Sequence, residues 1–191
     1  APAPIRTSGD PMSKPEEAIR VAVKRSGRTF EAEAVCRVQA ISATVWETIT
    51  DYPNLPRFMP GIRDCRVVER SATGGRTERL LVEQEGEFRF LVVTQSLKVK
   101  LDIEHRGRRI AHARALSFDL GVLKDRALDA FEGRYELEPG AARGPVQLRY
   151  TSIMVSRYPP PPGIGSMAVR HNLEAQLRAV VRECERRASA G

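Results

Sequence analysis

The 191 residues are 41% hydrophobic and 29% charged, the ordinary balance of a globular chain large enough to build one core. No apolar run approaches the roughly 20 residues of a membrane-spanning helix, and the three widely spaced cysteines offer neither zinc-ligand spacing nor a complete disulfide framework. A formal charge of +7 and a pI near 9.8 direct attention to anionic partners, although the basic residues are dispersed rather than blocked.

Residues 1–16 hold four prolines among glycine and polar residues and read as a flexible lead-in. A start at Ala-Pro-Ala-Pro, without Met, fits removal of a signal peptide, so an exported, periplasmic location is expected, with the cytoplasm as alternative. One domain is expected over 17–188, with 189–191 as a tail. Ile19, Val21 and Val23 alternate with Arg20, Ala22 and Lys24, a strand pattern, and Ser26-Gly27 supplies a hairpin turn. The next strand, Thr29 to Gln39, carries Phe30, Ala32, Ala34, Cys36 and Val38 on one face. Its small central residues leave room for a cavity or for a closely packed helix.

Ser42 is positioned to cap a short amphipathic helix, with Val45, Trp46, Ile49 and Tyr52 at helical spacing. Asp51 begins the stop: prolines restrict the residue before them, and Pro53, Pro56 and Pro60 follow. Leu55, Phe58 and Met59 form an apolar ledge in a second, broken helix. Strands follow near Ile62–Arg70 and Arg76–Glu85, and Gly86 separates the latter from a long run, Phe88 to Ile103. Leu91, Val93, Leu97, Val99, Leu101 and Ile103 share one face of that run.

His105 to Arg109 reads as a basic turn, Ile110–Leu116 as a strand and Ser117–Asp125 as a loop. Leu128–Leu137 sets Phe131, Gly133, Tyr135 and Leu137 on one face; Gly140–Gly144 turns the chain; Val146, Leu148, Tyr150 and Met154 line the last strand. Four prolines between Tyr158 and Gly163 make a stiff connector to a helix ending near Arg187. Its apolar stripe is Val169, Leu173, Leu177, Val180, Val181 and Cys184, opposite Arg170, Glu174, Arg178, Arg182 and Arg186.

The order Val45-Trp46, Thr50-Asp51-Tyr52, Phe58-Met59-Pro60-Gly61, then a strand, resembles the START-like polyketide cyclase/dehydrase and coenzyme-Q-binding proteins. These belong to the SRPBCC, or helix-grip, superfamily that includes the birch-pollen-allergen type. Phe131-Glu132-Gly133-Arg134-Tyr135-Glu136-Leu137 is similar to the family's F-x-G-x-aromatic-x-Leu strand. The resemblance spans residues 28 to 187. It implies an α+β helix-grip fold: a curved antiparallel β-sheet wrapped around a long C-terminal helix, with two short helices after the first core strand.

Such a sheet must bury its apolar side, and one helix leaves that side incompletely filled, which predicts an apolar pocket of roughly 300–1,000 Å³. The expected lining is Trp46, Phe58, Met59, Leu91, Val93, Leu97, Phe131, Tyr135, Tyr150, Met154, Leu173 and Leu177, each equally explicable as plain core. Tyr135 and Tyr150 are the polar handles, since a buried phenol needs a hydrogen-bond partner. The cysteines are expected to be buried thiols, with a Cys36–Cys65 bridge open to an exported protein. His105, His112 and His171 read as structural or solvated, His171 lying beside the apolar stripe where it could reach a cavity mouth. No H-E-x-x-H, P-loop or nucleophile elbow appears, so no catalytic residue, metal or cofactor is assigned.

Three functions compete. The first is a binding or carrier protein for a quinone, lipid or polyketide-like aromatic. An anionic membrane is a candidate peripheral partner through His105–Arg109 and the arginine face of the last helix. The second is an aromatic polyketide cyclase or dehydratase, in which holding a flexible chain folded can itself speed ring closure. The third is a basic interaction module of the ribosome-associated type. Nucleic acid is disfavoured, because RNA binding usually exposes aromatics and these are only 6% of the chain, mostly on apolar faces.

Overall fold

A computed structural model describes residues 19–90, 93–119, 128–138, 144–159 and 161–191. Alternating faces build β1 (Ile19–Ser26) and β2 (Thr29–Val38), then come α1 (Ser42–Ile49) and a 3₁₀ helix (Tyr52–Arg57). The chain continues as β3 (Ile62–Ala72), β4 (Thr77–Phe90), β5 (Val93–Arg106), β6 (Ile110–Asp119), β7 (Leu128–Leu137), β8 (Val146–Ser156) and α2 (Ile164–Ser189). One eight-stranded antiparallel sheet results, in the order β1-β2-β8-β7-β6-β5-β4-β3. The meander from β3 to β8 is thus completed by the N-terminal hairpin, and the curved sheet with its long C-terminal helix is a helix-grip fold.

The small residues of β2 serve a closely packed helix. Ala32, Ala34 and Cys36 are buried, and α2 packs on β1, β2 and α1 at that end of the sheet. Leu177 and Cys184 of α2 are fully buried there, as are Val45 of α1 and Leu148 of β8. Burying each large aliphatic side chain contributes about 1.5–3 kcal/mol before entropy is set against it.

Local details depart from the sequence reading for identifiable reasons. Val45 N–H donates to the Ile41 carbonyl at 3.1 Å, so Ile41 is the N-cap; Ser42 is already helical and there is no side-chain capping bond. The second helix is a 3₁₀ turn, with Pro53 near its start and Pro56 inside it. His105 belongs to β5 rather than to a turn; the reversal falls on 107–109, where Arg108 has φ 54°. Ser117–Asp119, read as the start of a loop, extend β6, while the rest of that loop and residues 140–143 of the turn read over Gly140–Gly144 lie outside the described residues.

All three cysteines are free and buried. Burial pushes the thiols of Cys36 and Cys65 up to about 12 and that of Cys184 to about 11, so they stay protonated and unreactive. The Cys36–Cys65 bridge left open by the sequence does not form: both thiols are free, on strands six places apart in the sheet order.

Gly86 does not separate strands. β4 continues through it to Phe90, and its register with β5 runs without interruption to Phe90–Val93. The glycine is required by a close backbone crossing. A Cβ on Gly86 would sit 2.3 Å from the Gly61 carbonyl oxygen, and Gly61 itself has φ 81°. The Gly61 carbonyl also accepts from Glu87 N–H at 2.7 Å, fixing the entry to β3. Gly86→Ala is therefore expected to lower stability by about 1–3 kcal/mol, as overpacking does, measured as a shift in the urea midpoint at unchanged slope.

Candidate functional site

Away from β1 and β2, sheet and helix separate around a cavity of about 270 Å³. Each wall follows from a local rule. On β5, Leu97, Val99, Leu101 and Ile103 recur every second residue and face inward. On β7 and β8 the same alternation presents Phe131, Tyr135, Tyr150 and Met154. The proline-interrupted segment supplies Tyr52, Leu55 and Met59, and α2 supplies Gln176 and Val180.

Gly133 makes room for the aromatic wall: a Cβ there would lie 3.0 Å from the Tyr150 hydroxyl and 3.1 Å from the Phe131 ring. The rings of Tyr135 and Tyr150 stand 4.8 Å apart, tilted by 52°. Burial pushes the Tyr150 phenol up to about 12 and holds that of Tyr135 well above 10. Both remain protonated near neutrality, able to donate to a ligand oxygen but not to serve as bases.

Of the twelve residues proposed from the sequence, Met59, Leu97, Phe131, Tyr135, Tyr150 and Met154 lie on the cavity wall. Leu173 lines a side space of about 90 Å³ that shares Phe131, Tyr150, Met154 and Gln176 with the main cavity. Three others lie elsewhere. Trp46 packs edge-on against His105, with centroids 5.1 Å apart; Phe58 lies beneath the Arg187 guanidinium at 5.7 Å; Leu177 is core. Leu91 and the side chain of Val93 fall outside the described residues. Helical spacing identified Trp46 as inward-facing, and the apolar ledge did the same for Phe58, but neither could say which layer they face. The sequence reading missed Gln84 and Gln176, whose signal was a polar residue at or beside a core position.

His105 also differs from its sequence reading. It is 7% exposed and forms the buried end of a polar chain that runs from behind the cavity to the surface. Glu78 Oε2 stands 3.3 Å from Nδ1, and the Tyr52 hydroxyl 2.7 Å from Nε2. A carboxylate only accepts, so Nδ1–H donates to Glu78 and Nε2 accepts from Tyr52. Arg70 completes the chain with a 2.8 Å ion pair to Glu78. A second tie holds the same segment to α2: Arg187 bonds Asp51 at 2.9 Å and Glu183 at 2.8 Å. The bonds from Arg186 and Arg187 hold the Glu183 carboxyl down at about 2. His171 is exposed and does not line the cavity.

A curved sheet gripping one helix around an apolar cavity defines a START-like ligand-pocket architecture. The chain belongs to the polyketide cyclase / dehydrase and lipid transport family, whose model matches residues 38–181. No curated protein sequence matches it. Among solved structures it is similar to a START superfamily protein from Mycobacterium smegmatis (TM-score 0.65, 15% identity, 84% of this chain and 97% of that one). It is also similar to the Zhui aromatase/cyclase from Streptomyces sp. R1128 (TM-score 0.64, 20% identity, 85% and 98%). A third similar structure is a STAR-related lipid transfer protein from Xanthomonas axonopodis (TM-score 0.63, 16% identity, 90% and 96%). At these identities the likeness concerns the fold.

Burial lowers the pKa of His105 below its ordinary value of 6.5, against the opposing pull of Glu78. The unfolded chain thus takes up a proton near pH 6.5 that the folded chain refuses, so this group makes stability fall as pH drops from 6.5 toward the lowered value. Urea unfolding at pH 7.5 and pH 5 should show that decline, and His105→Gln should flatten it. Tyr52→Phe strands a buried imidazole nitrogen and should cost about 1–3 kcal/mol at pH 7.5.

Proposed function

We propose that the protein binds and carries a hydrophobic small molecule, a quinone, lipid or polyketide-like aromatic, in the cavity between sheet and C-terminal helix. The observation that carries this reading is the cavity itself: about 270 Å³, walled mainly by aliphatic and aromatic side chains. That is near the lower end of the roughly 300–1,000 Å³ typical of small-molecule sites and suits a compact ligand. The family supports a small-molecule partner in general terms. Cyclisation is the second reading, and the aromatase/cyclase neighbour motivates it. It is the weaker one, because the titratable groups on the described wall are phenols held protonated by burial.

Delivery from a membrane surface extends the proposal. Arg170, Arg178 and Arg182 are exposed along α2 and suited to anionic lipid, whereas Arg186, also exposed, is engaged with Glu183. The other half of the basic rim is revised, since His105 is buried and Arg109 is engaged with the Leu137 carbonyl and Glu136. Binding to anionic vesicles should weaken steeply between about 0.05 and 0.5 M salt as the charges are screened; binding insensitive to salt would remove the membrane from the proposal.

Native mass spectrometry of protein purified from its own host, with solvent extraction, tests the ligand directly. A stoichiometric apolar adduct is expected. Ala113 of β6 lines the cavity, and Ala113→Leu should occupy the space and reduce adduct retention about tenfold or more while the protein stays folded. Persistent absence of any adduct, even after exposure to host lipid extract, would defeat the binding reading.

A further inference from the structure

Gln84 and Gln176 stand out on the cavity wall. Gln84 follows Leu80 and Val82 on the inward face of β4, opposite Cys65 on β3 and Val99 on β5. Alternation would place an apolar side chain there. Gln176 lies three residues after Leu173 and four before Val180, on the edge of the stripe that α2 turns toward the sheet. Both amides line the cavity, and neither hydrogen-bonds to another described residue. The Tyr135 hydroxyl likewise has no hydrogen-bond partner among the described residues. All three residues are half-buried, and among the described residues no buried side-chain nitrogen or oxygen lacks a partner, so these polar groups reach the open space of the cavity, where water completes them until a ligand takes its place.

Resting on the binding reading, we propose that Gln84 and Gln176 determine specificity, selecting an uncharged ring compound that carries hydroxyl or carbonyl oxygens. An amide donates and accepts, so it matches either group but supplies no counter-charge. No Asp, Glu, Lys, Arg or His among the described residues lines this cavity. A carboxylate or phosphate among these residues would lose hydration without gaining an ion pair from any of them. The rings of Phe131, Tyr135 and Tyr150 give the ligand's flat faces an aromatic surface.

Three probes of nearly equal size test this: 2-naphthol, naphthalene and 2-naphthoate, by equilibrium dialysis at pH 7.5. The wild-type protein should bind 2-naphthol about tenfold or more tighter than either of the others. Gln84→Leu and Gln176→Leu should each weaken 2-naphthol about 3- to 10-fold, the worth of one hydrogen bond, and leave naphthalene unchanged or tighter. Naphthalene binding reports that each variant is folded, and Gln176 on the helix provides an independent test should substitution in β4 disturb the strand. Equal affinity for 2-naphthol and naphthalene, an unchanged preference in both variants, or tightest binding of 2-naphthoate would overturn the inference while leaving the cavity as a binding site. Failure of all three probes to bind the wild-type protein would overturn the binding reading and this inference together.

Discussion

The architecture depends on a mismatch of widths. Eight strands spaced about 4.8 Å apart make a sheet roughly 34 Å across before curvature, whereas an α-helix with its side chains is only about 10–12 Å wide. One helix cannot cover that face. α2 approaches closely where β2 offers alanines and Cys36, and the sheet must curl to bring the remaining strands round. The 3₁₀ segment and α1 fill part of what is left. The cavity is the remainder, and its position follows from which strand carries the small residues.

Leaving a space open requires that its walls be held by something other than contact across it. The segment Asp51–Met59 is tied at two points. Tyr52 is anchored to the sheet through His105 and Glu78, while Asp51 is anchored to α2 through Arg187 and Glu183. These bonds are directional, so they fix the segment where apolar packing alone would let it slide into the void. They also explain why the 3₁₀ helix, too short to be stable by itself, persists with two prolines within it. Gly61 and Gly86 serve the same end from below by letting two backbones cross at close range.

The wall chemistry then separates packing from recognition. Most of the lining is aliphatic or aromatic and would serve a filled core equally well. The phenols of Tyr135 and Tyr150 are kept neutral by burial, and the two glutamines add neutral donors and acceptors. Among the described residues, charged side chains lie outside the cavity, where ion pairs such as Arg79–Asp102 and Arg66–Glu83 span neighbouring strands.

Much was legible in the sequence because strand alternation and proline punctuation are local. Val21 and Val23, the run from Leu97 to Ile103, and the Leu173–Cys184 stripe announce their faces from their neighbours alone, and the Trp46-to-Gly61 motif identifies the fold. What alternation cannot convey is distance to the opposite layer. Trp46 and Leu177 look like cavity residues by spacing but meet other side chains instead, while Gln84, in phase with the buried Leu80 and Val82, proves to line the cavity. His105 reads as part of a basic turn because Arg106, Arg108 and Arg109 surround it; only pairing with β4 places it beside Glu78. The sequence by itself determined most of the elements and their inward faces, since these depend on the period of the backbone, and the resemblance of its motifs implied the helix-grip class. The tertiary structure alone decided which inward faces touch, which stay apart, and which polar groups are left without partners, because those outcomes depend on sheet register and curvature set by residues far apart in the chain.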